Sequence, residues 1–193
     1  MFGALHLILQ QFYQLIKNRQ GVAAVEFALL LPVLLILVIG MAETTDALNH
    51  DRKVSQVAST IADLVAQGQI VSPTELSDYF LGAEAIMEPY PTTTLDIIVA
   101  SVTFDADGDP VVDWSEDNDG GSPWPAGGPP PITLPATIRV PGASVVVGDA
   151  SYTYTPMFAS SLQSIFPRAS SMNFSETFFL RPRLVQTVLC PAC

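Results

Sequence analysis

RQGVAAVEFALLLPVLLILVIGMAETTDAL, residues Arg19–Leu48, is the stretch that decides the architecture. Val22–Met41 is 20 residues long and has Glu26 as its one charge. A helix of that length spans about 30 Å, the thickness of a bilayer's hydrocarbon core, so residues 22–42 are expected to form a transmembrane helix. Lys17 and Arg19 stand just before it, and Glu43, Asp46 and Asp51 follow, with Arg52 and Lys53 farther out. Cytoplasmic flanks carry the excess of Lys and Arg. Residues 1–21 therefore read as a cytoplasmic leader, and the chain from about Glu43 onward reads as periplasmic, held in the inner membrane by a single span. A secretory signal peptide ending at Gly40, Met41 and Ala42 fits less well, because the apolar run exceeds the usual h-region of about 7–15 residues. Within Met1–Arg19, Leu5, Ile8, Leu9, Phe12, Leu15 and Ile16 recur at helical spacing, as in an amphipathic helix lying along a membrane surface.

Glu26 is the informative exception. A charged carboxylate at the centre of a bilayer costs roughly 2.5–3.5 kcal/mol on insertion scales, and less near the edge, so it calls for a partner. Cleavage after Gly21 would supply one by freeing the amine of Val22, which lies four residues and about 6 Å of helix rise from Glu26. The amine would pair with a carboxylate of its own chain or of a neighbour's, and a desolvated pair of this kind sets register more reliably than it adds stability. Pro32 has no N–H to donate to the carbonyl of Ala28, so it is expected to kink or loosen the helix locally.

The spacing of Gly21, four intervening residues, then Glu26 and Phe27 resembles the site that prepilin peptidases cut in Flp-type pilins and pseudopilins. The wider stretch, with its basic residue and glycine, the VEFAL run and a proline inside the apolar segment, resembles the TadE-like proteins of tight-adherence (Tad) pilus assembly. The resemblance covers Arg19 to about Leu64, and the closing LRPRLVQTVLCPAC is similar to the ends of some members. It implies Gly21 as the last leader residue, Val22 as the mature N-terminus, and Glu26 and Phe27 as the recognised pair. It also implies a minor pseudopilin acting in pilus assembly and adherence, with other Tad pilins, pseudopilins and assembly proteins, and a prepilin peptidase, as partners. A plain signal anchor that happens to hold Gly and Glu is the simpler reading of the same residues.

Beyond the apolar run the helix is expected to continue. Val54, Val57, Ala58, Ile61, Leu64 and Val65 keep the i, i+3, i+4, i+7 pattern, and neither proline nor glycine interrupts Met41–Gln67. Residues 43–67 are thus a helix continuation with Gly68 as its stop, and 68–193 a periplasmic α+β domain. Ser72, Pro73 and Glu75 form a capping-box start for a second helix, whose apolar face is Leu76, Tyr79, Phe80, Ala83 and Met87 and whose end is marked by Pro89 and Pro91. Thr94–Phe104 and Pro110–Trp114 flank an Asp107-Gly108 turn and predict a hairpin. Residues 116–131 are rich in Gly, Pro and Asp without periodicity and predict an exposed, flexible loop. Strands are expected again at Thr137–Val140, Ala143–Thr155 and Met172–Arg181, with a short helix over Met157–Phe166. The sum is an α+β, pilin-like fold with helices packed on an antiparallel sheet.

Composition excludes some functions. With a formal charge of -11, the chain lacks the basic footprint that nucleic acid demands. His6 and His50 are the two histidines, and no nucleophile elbow, phosphate loop or zinc signature accompanies them, so neither an enzyme nor a cofactor is expected. Asp105, Asp107, Asp109 and Glu116 occupy positions 1, 3, 5 and 12 of a calcium-loop template, but Pro110 stands where glycine is needed, which leaves them weak metal candidates. Cys190 and Cys193, outside the cytoplasm, suit a short disulfide that pins the tail, with bridging to another component as the alternative. The rival to a pseudopilin is a membrane-tethered extracytoplasmic binding or adhesion module that no prepilin peptidase processes.

Overall fold

The structure is a computed structural model of the 193-residue chain and describes residues 21–158 and 171–193. The amphipathic leader and most of the helix expected over 157–166 lie outside the described residues. Helix α1 runs over Val22–Ala66 and has Pro32 inside it. By contacts the chain divides into two units, one ending at Thr44 and the other comprising Thr45–Cys193.

In the first unit α1 buries nothing across its most apolar window of 18 residues, whose mean hydropathy is 2.9. Leucine, valine and isoleucine side chains from Val22 to Val38 are exposed, an arrangement for which lipid rather than water is the fitting solvent. Near its end Thr44 Oγ1 donates to the carbonyl of Gly40 at 2.7 Å, which satisfies the hydroxyl within the helix.

The second unit is an α+β domain. Its share of α1 buries His50, Val54, Val57, Ala58, Ile61, Ala62, Val65 and Ala66, a stripe at steps of three and four. The helix ends one residue short of Gln67, and the N–H of Gly68 donates to Val65 O at 3.0 Å. Helix α2, Pro73–Glu84, starts on the expected capping box: Ser72 Oγ accepts from the Glu75 N–H, and Ser72 N–H donates to Glu75 Oε2 at 2.9 Å. A 3₁₀ turn, Ala85–Met87, follows it.

Four strands complete the domain: β1 Leu95–Phe104, β2 Pro110–Asp117, β3 Ser144–Tyr154 and β4 Met172–Leu180. They form one antiparallel sheet in the order β2-β1-β3-β4. The β1–β2 turn is closed by Asp105 Oδ1, which accepts from the N–H groups of Asp107 and Asp109, and by Gly108 at a φ of 84°. Between Ser101 and Val102 the register slips by a bulge that leaves Asp113 as the extra residue. Its carboxylate is then free to accept from Ser101 Oγ at 2.8 Å and Thr103 Oγ1 at 2.7 Å.

Both faces of β1–β3 carry buried residues. Leu95, Ile97 and Val99 of β1, with Trp114, Val146, Ala150, Tyr152 and Tyr154, pack beneath α1 and α2. On the opposite face, Ala100, Val102, Phe104, Val112, Val145 and Val147 meet Trp124 and Leu134 from the β2–β3 connection. The segment 116–131, expected as an exposed loop, is exposed at many positions but not at its start or at Trp124. Glu116 and Asp117 belong to β2, and Trp124 is 3 % exposed, with its N–H donating to Ser115 Oγ at 2.9 Å. Val112 and the 127–128 backbone exchange two further hydrogen bonds. The second apolar face needs a cover, and a Gly- and Pro-rich segment supplies one without any periodic pattern to announce it. The strand expected at Thr137–Val140 is corrected. Ala136–Ile138 is a 3₁₀ turn, flanked by Pro135 and Pro141, neither of which can donate to a ladder.

Close approach of α1 to the sheet depends on Gly148. A Cβ built there would lie 2.8 Å from Ala62 Cβ and closer still to the carbonyl oxygen of Ala58. Gly148→Ala is expected to lower stability by about 1–3 kcal/mol through overpacking. Gly82→Ala, in α2 with nothing within 4 Å of the new methyl, is expected to raise it by up to about 1 kcal/mol. Denaturant midpoints of the two variants check both signs, and equal effects at the two positions would remove the case for a contact between helix and sheet at Gly148.

Candidate functional site

At the start of α1, Gly21 directly precedes the helix and Val22, Glu26 and Phe27 lie in its first turns, all exposed. Val22 and Glu26 are separated by four residues and therefore share a face, one turn apart. An amine created at Val22 would thus stand one turn from the Glu26 carboxylate, and Gly21 and Val22 are both exposed.

The other sequence candidates are not gathered into one site. Asp105, Asp107 and Asp109 sit in the β1–β2 turn, whereas Glu116 pairs with Val99 at the other end of the hairpin. Seven residues of strand separate Asp109 from Glu116, about 23 Å at 3.3 Å each, so the calcium-loop spacing does not fold into a coordination sphere. Asp105 is already engaged as the turn's acceptor, and no group of three or more His, Cys, Asp or Glu residues that could hold a metal occurs among the described residues. Cys190 and Cys193 are joined as a disulfide with their Cα atoms 5.4 Å apart. The tail leading to it is fastened upstream: Trp114 Nε1 donates to Val188 O at 2.8 Å, Val71 N–H to Leu189 O, and Arg183 N–H to Ala66 O.

A cluster of polar side chains was missed by reading the sequence. His50, 3 % exposed, stacks among three tyrosines, with ring centroids 3.7 Å from Tyr90, 5.3 Å from Tyr152 and 4.5 Å from Tyr154. Asp46, one turn before it, accepts from Tyr90 Oη at 3.0 Å and from Tyr154 Oη at 3.1 Å, while its backbone carbonyl lies 2.8 Å from His50 Nδ1. Lys53 Nζ donates to the carbonyls of Ile86 and Glu88 at 2.6 and 2.8 Å and lies 5.9 Å from the Tyr90 ring centroid. Two helical turns thereby tie α1 to the segment after α2 and to β3. The signal was present in the periodicity, since a step of four back from Val54 lands on His50 and another on Asp46. Histidine and aspartate do not count as apolar, and tyrosines 44 and 108 residues beyond Asp46 cannot be foreseen as its partners. The residue types suit acid–base chemistry, but the hydroxyls and the carboxylate are spent on one another, which makes the cluster a positioning device.

Residues 21–63 match the family model described as TadE-like protein. No curated protein and no solved structure matches the chain. The TadE-like match opens on Gly21 and takes in Glu26, Phe27, Asp46, His50 and the Ala58–Ala62 contact with the sheet. It closes on Asp63, whose carboxylate pairs with Arg183 of the tail. The sheet itself lies outside the matched residues.

Burial and the Asp46 carboxylate both raise the Tyr90 pKa above the ordinary 10.0, with burial the larger cause. The folded state therefore holds the phenolic proton more tightly than the unfolded state does. That contribution is complete below pH 10 and is lost as pH rises through the folded value. Thermal unfolding is expected to show stability falling above about pH 10 in the wild type, and falling less steeply in Tyr90→Phe. Asp46→Ala should cost about 1 kcal/mol or more at pH 7 by removing the acceptor that the Tyr90 and Tyr154 hydroxyls share, and a loss below about half a kcal/mol would show that the cluster does not hold these elements together.

Proposed function

We propose that this protein is a TadE-like pseudopilin that crosses the inner membrane once, is trimmed after Gly21 by a prepilin peptidase, and takes part in assembling a Tad pilus. The observation that carries the reading is a coincidence of position. The matched residues 21–63 begin at the same glycine that precedes the apolar helix, and they contain the membrane-depth carboxylate Glu26 one turn beyond it. A mere anchor gains nothing from a charge there, whereas a subunit whose new N-terminus needs a counter-charge does.

The work of such a subunit is interaction. Its helix α1 lies beside the apolar helices of other pilins and pseudopilins, where dispersion and a satisfied Val22–Glu26 pair set the register. Its acidic α+β domain, placed in the periplasm by the basic residues before the span, meets other assembly components. Adherence follows from the pilus and not from a chemistry of this chain.

Mass spectrometry of the protein from its own cells is expected to give an N-terminus at Val22, and Gly21→Leu to leave the leader attached. Deleting the gene should reduce surface pili and adherence, with Glu26→Ala reproducing the loss while leaving the protein in the membrane. An intact Met1 in a chain that co-purifies with no pilus component would favour the tethered binding module instead. Cysteine-labelling from the periplasmic side should reach position 119 but not position 5, and the reverse pattern would overturn the orientation.

A further inference from the structure

Between β2 and α2 lies a cleft of about 170 Å³ lined by Ser77, Phe80, Glu116, Asp117, Asn118 and Asp119, together with Pro73 and Gly120. Its polar groups are not equivalent. Asp117 Oδ1 accepts from the N–H groups of Asp119 and Gly121, and Asn118 is engaged with Ile97 N–H, Leu95 O and Glu84. Glu116 is different: the residue is 8 % exposed, and among the described residues no hydrogen-bond donor or cation reaches its carboxylate. It is two residues from Trp114 on β2 and so shares the helix-facing side of the sheet, where its neighbours Val99 and Trp114 are buried and apolar or aromatic and where, among the described residues, the other charged strand residue, Glu176 on β4, is half-buried. Its oxygens open on the cleft and are not sealed from solvent, but partial burial without a cation disfavours the charged form, and a second carboxylate at Asp117 adds repulsion.

We propose that this cleft receives a single basic side chain, lysine or arginine, from a partner protein, with Glu116 as the counter-charge. The volume is below the roughly 300–1,000 Å³ of sites for drug-sized ligands, so it suits one side chain rather than a cofactor. Phe80 and Pro73 offer apolar surface to the methylene stem, while Glu116 takes the charged head and Asp119 stands exposed at the rim to draw it in. A metal ion is the poorer occupant, because no cluster of three ligating side chains forms there among the described residues. The chain's charge of -11 also makes a basic partner a better fit than a second copy. The cleft lies wholly within the domain of Thr45–Cys193 and outside the family match, so the proposal stands or falls apart from the pilus reading.

Burial first, and then Asp117, raise the Glu116 pKa above 4.5, which accords with a carboxylate lacking a cation. The folded state then favours the protonated form, so this group's contribution is complete below pH 4.5 and lost as pH rises through the folded value. Glu116→Gln is accordingly expected to melt at or above the wild-type temperature at pH 7, with the gap closing as pH falls toward 4.5. The test of binding is titration of the full chain in detergent micelles with N-acetyl-arginine methylamide. The Glu116 carboxyl carbon is followed by NMR, with N-acetyl-citrulline methylamide as the neutral isostere. Arginine should shift the resonance and lower its titration midpoint, and citrulline should do neither. Other resonances of the cleft should respond roughly tenfold more weakly or not at all in Glu116→Gln, and more weakly in Asp119→Asn, with a loss of response at high salt. Equal responses to arginine and citrulline, an undiminished response in Glu116→Gln, or no response in the wild type would overturn the proposal. So would a Glu116→Gln variant that melts well below the wild type, since the carboxylate would then have a structural partner.

Discussion

The contact between the α1 backbone and Gly148 is the constraint on which the domain rests. Ala58 and Ala62 on the helix and the missing side chain on β3 let the two backbones come closer than any pair of larger residues would permit. Once the helix lies that close, Val54, Val57, Ile61 and Val65 fall into contact with the helix-facing strand positions and lose their water together. The separation of helix from sheet also determines where α2 fits. Phe80, Ala83 and Met87 fill space left beside α1 over the same face.

Position along the helix is a separate question from closeness, and polar groups answer it. A hydrophobic stripe can slide by a turn with modest loss, but two tyrosine hydroxyls aimed at one Asp46 carboxylate cannot. The Lys53 ammonium on the carbonyls of Ile86 and Glu88 adds a second fixed point about two turns later. The tail supplies a third: Arg183 bonds the carbonyl of Ala66 and the carboxylate of Asp63, so the last turn of α1 finds partners among residues far along the chain. These ties concentrate on the part of α1 that the family model covers, whereas the strands that receive them lie outside it.

Two kinds of surface coexist in one chain. From Val22 to Met41 the exposed side chains are apolar apart from Glu26, as suits a helix in lipid, and from Thr45 the chain is acidic. Glu26 and Glu116 are the exceptions in their settings, one a charge in an apolar run and the other a charge on a buried sheet face. In the two proposals, each awaits a cation from elsewhere: an amine made by cleavage in the first case, a partner's side chain in the second.

Sequence alone was sufficient wherever the deciding physics is local. Length and hydropathy marked the apolar helix, periodicity carried α1 to within a residue of its end, and Ser72-Pro73-Glu75 marked the start of α2 because a capping box is made within one turn. Alternation and the Asp107-Gly108 turn located the β1–β2 hairpin for the same reason. Spacing misled at Asp105–Glu116, where a strand of about 3.3 Å per residue carried the last carboxylate away from the others. Composition was insufficient over 116–131, since glycine and proline say that a segment is irregular and not whether it covers a core; Trp124 was buried by the face it met. The Asp46–His50–tyrosine cluster, the bulge at Asp113 and the unpartnered Glu116 were decided by the tertiary structure alone. Each depends on which residues from distant strands arrive at one point, and that is determined by sheet order and by how closely Gly148 lets the helix descend.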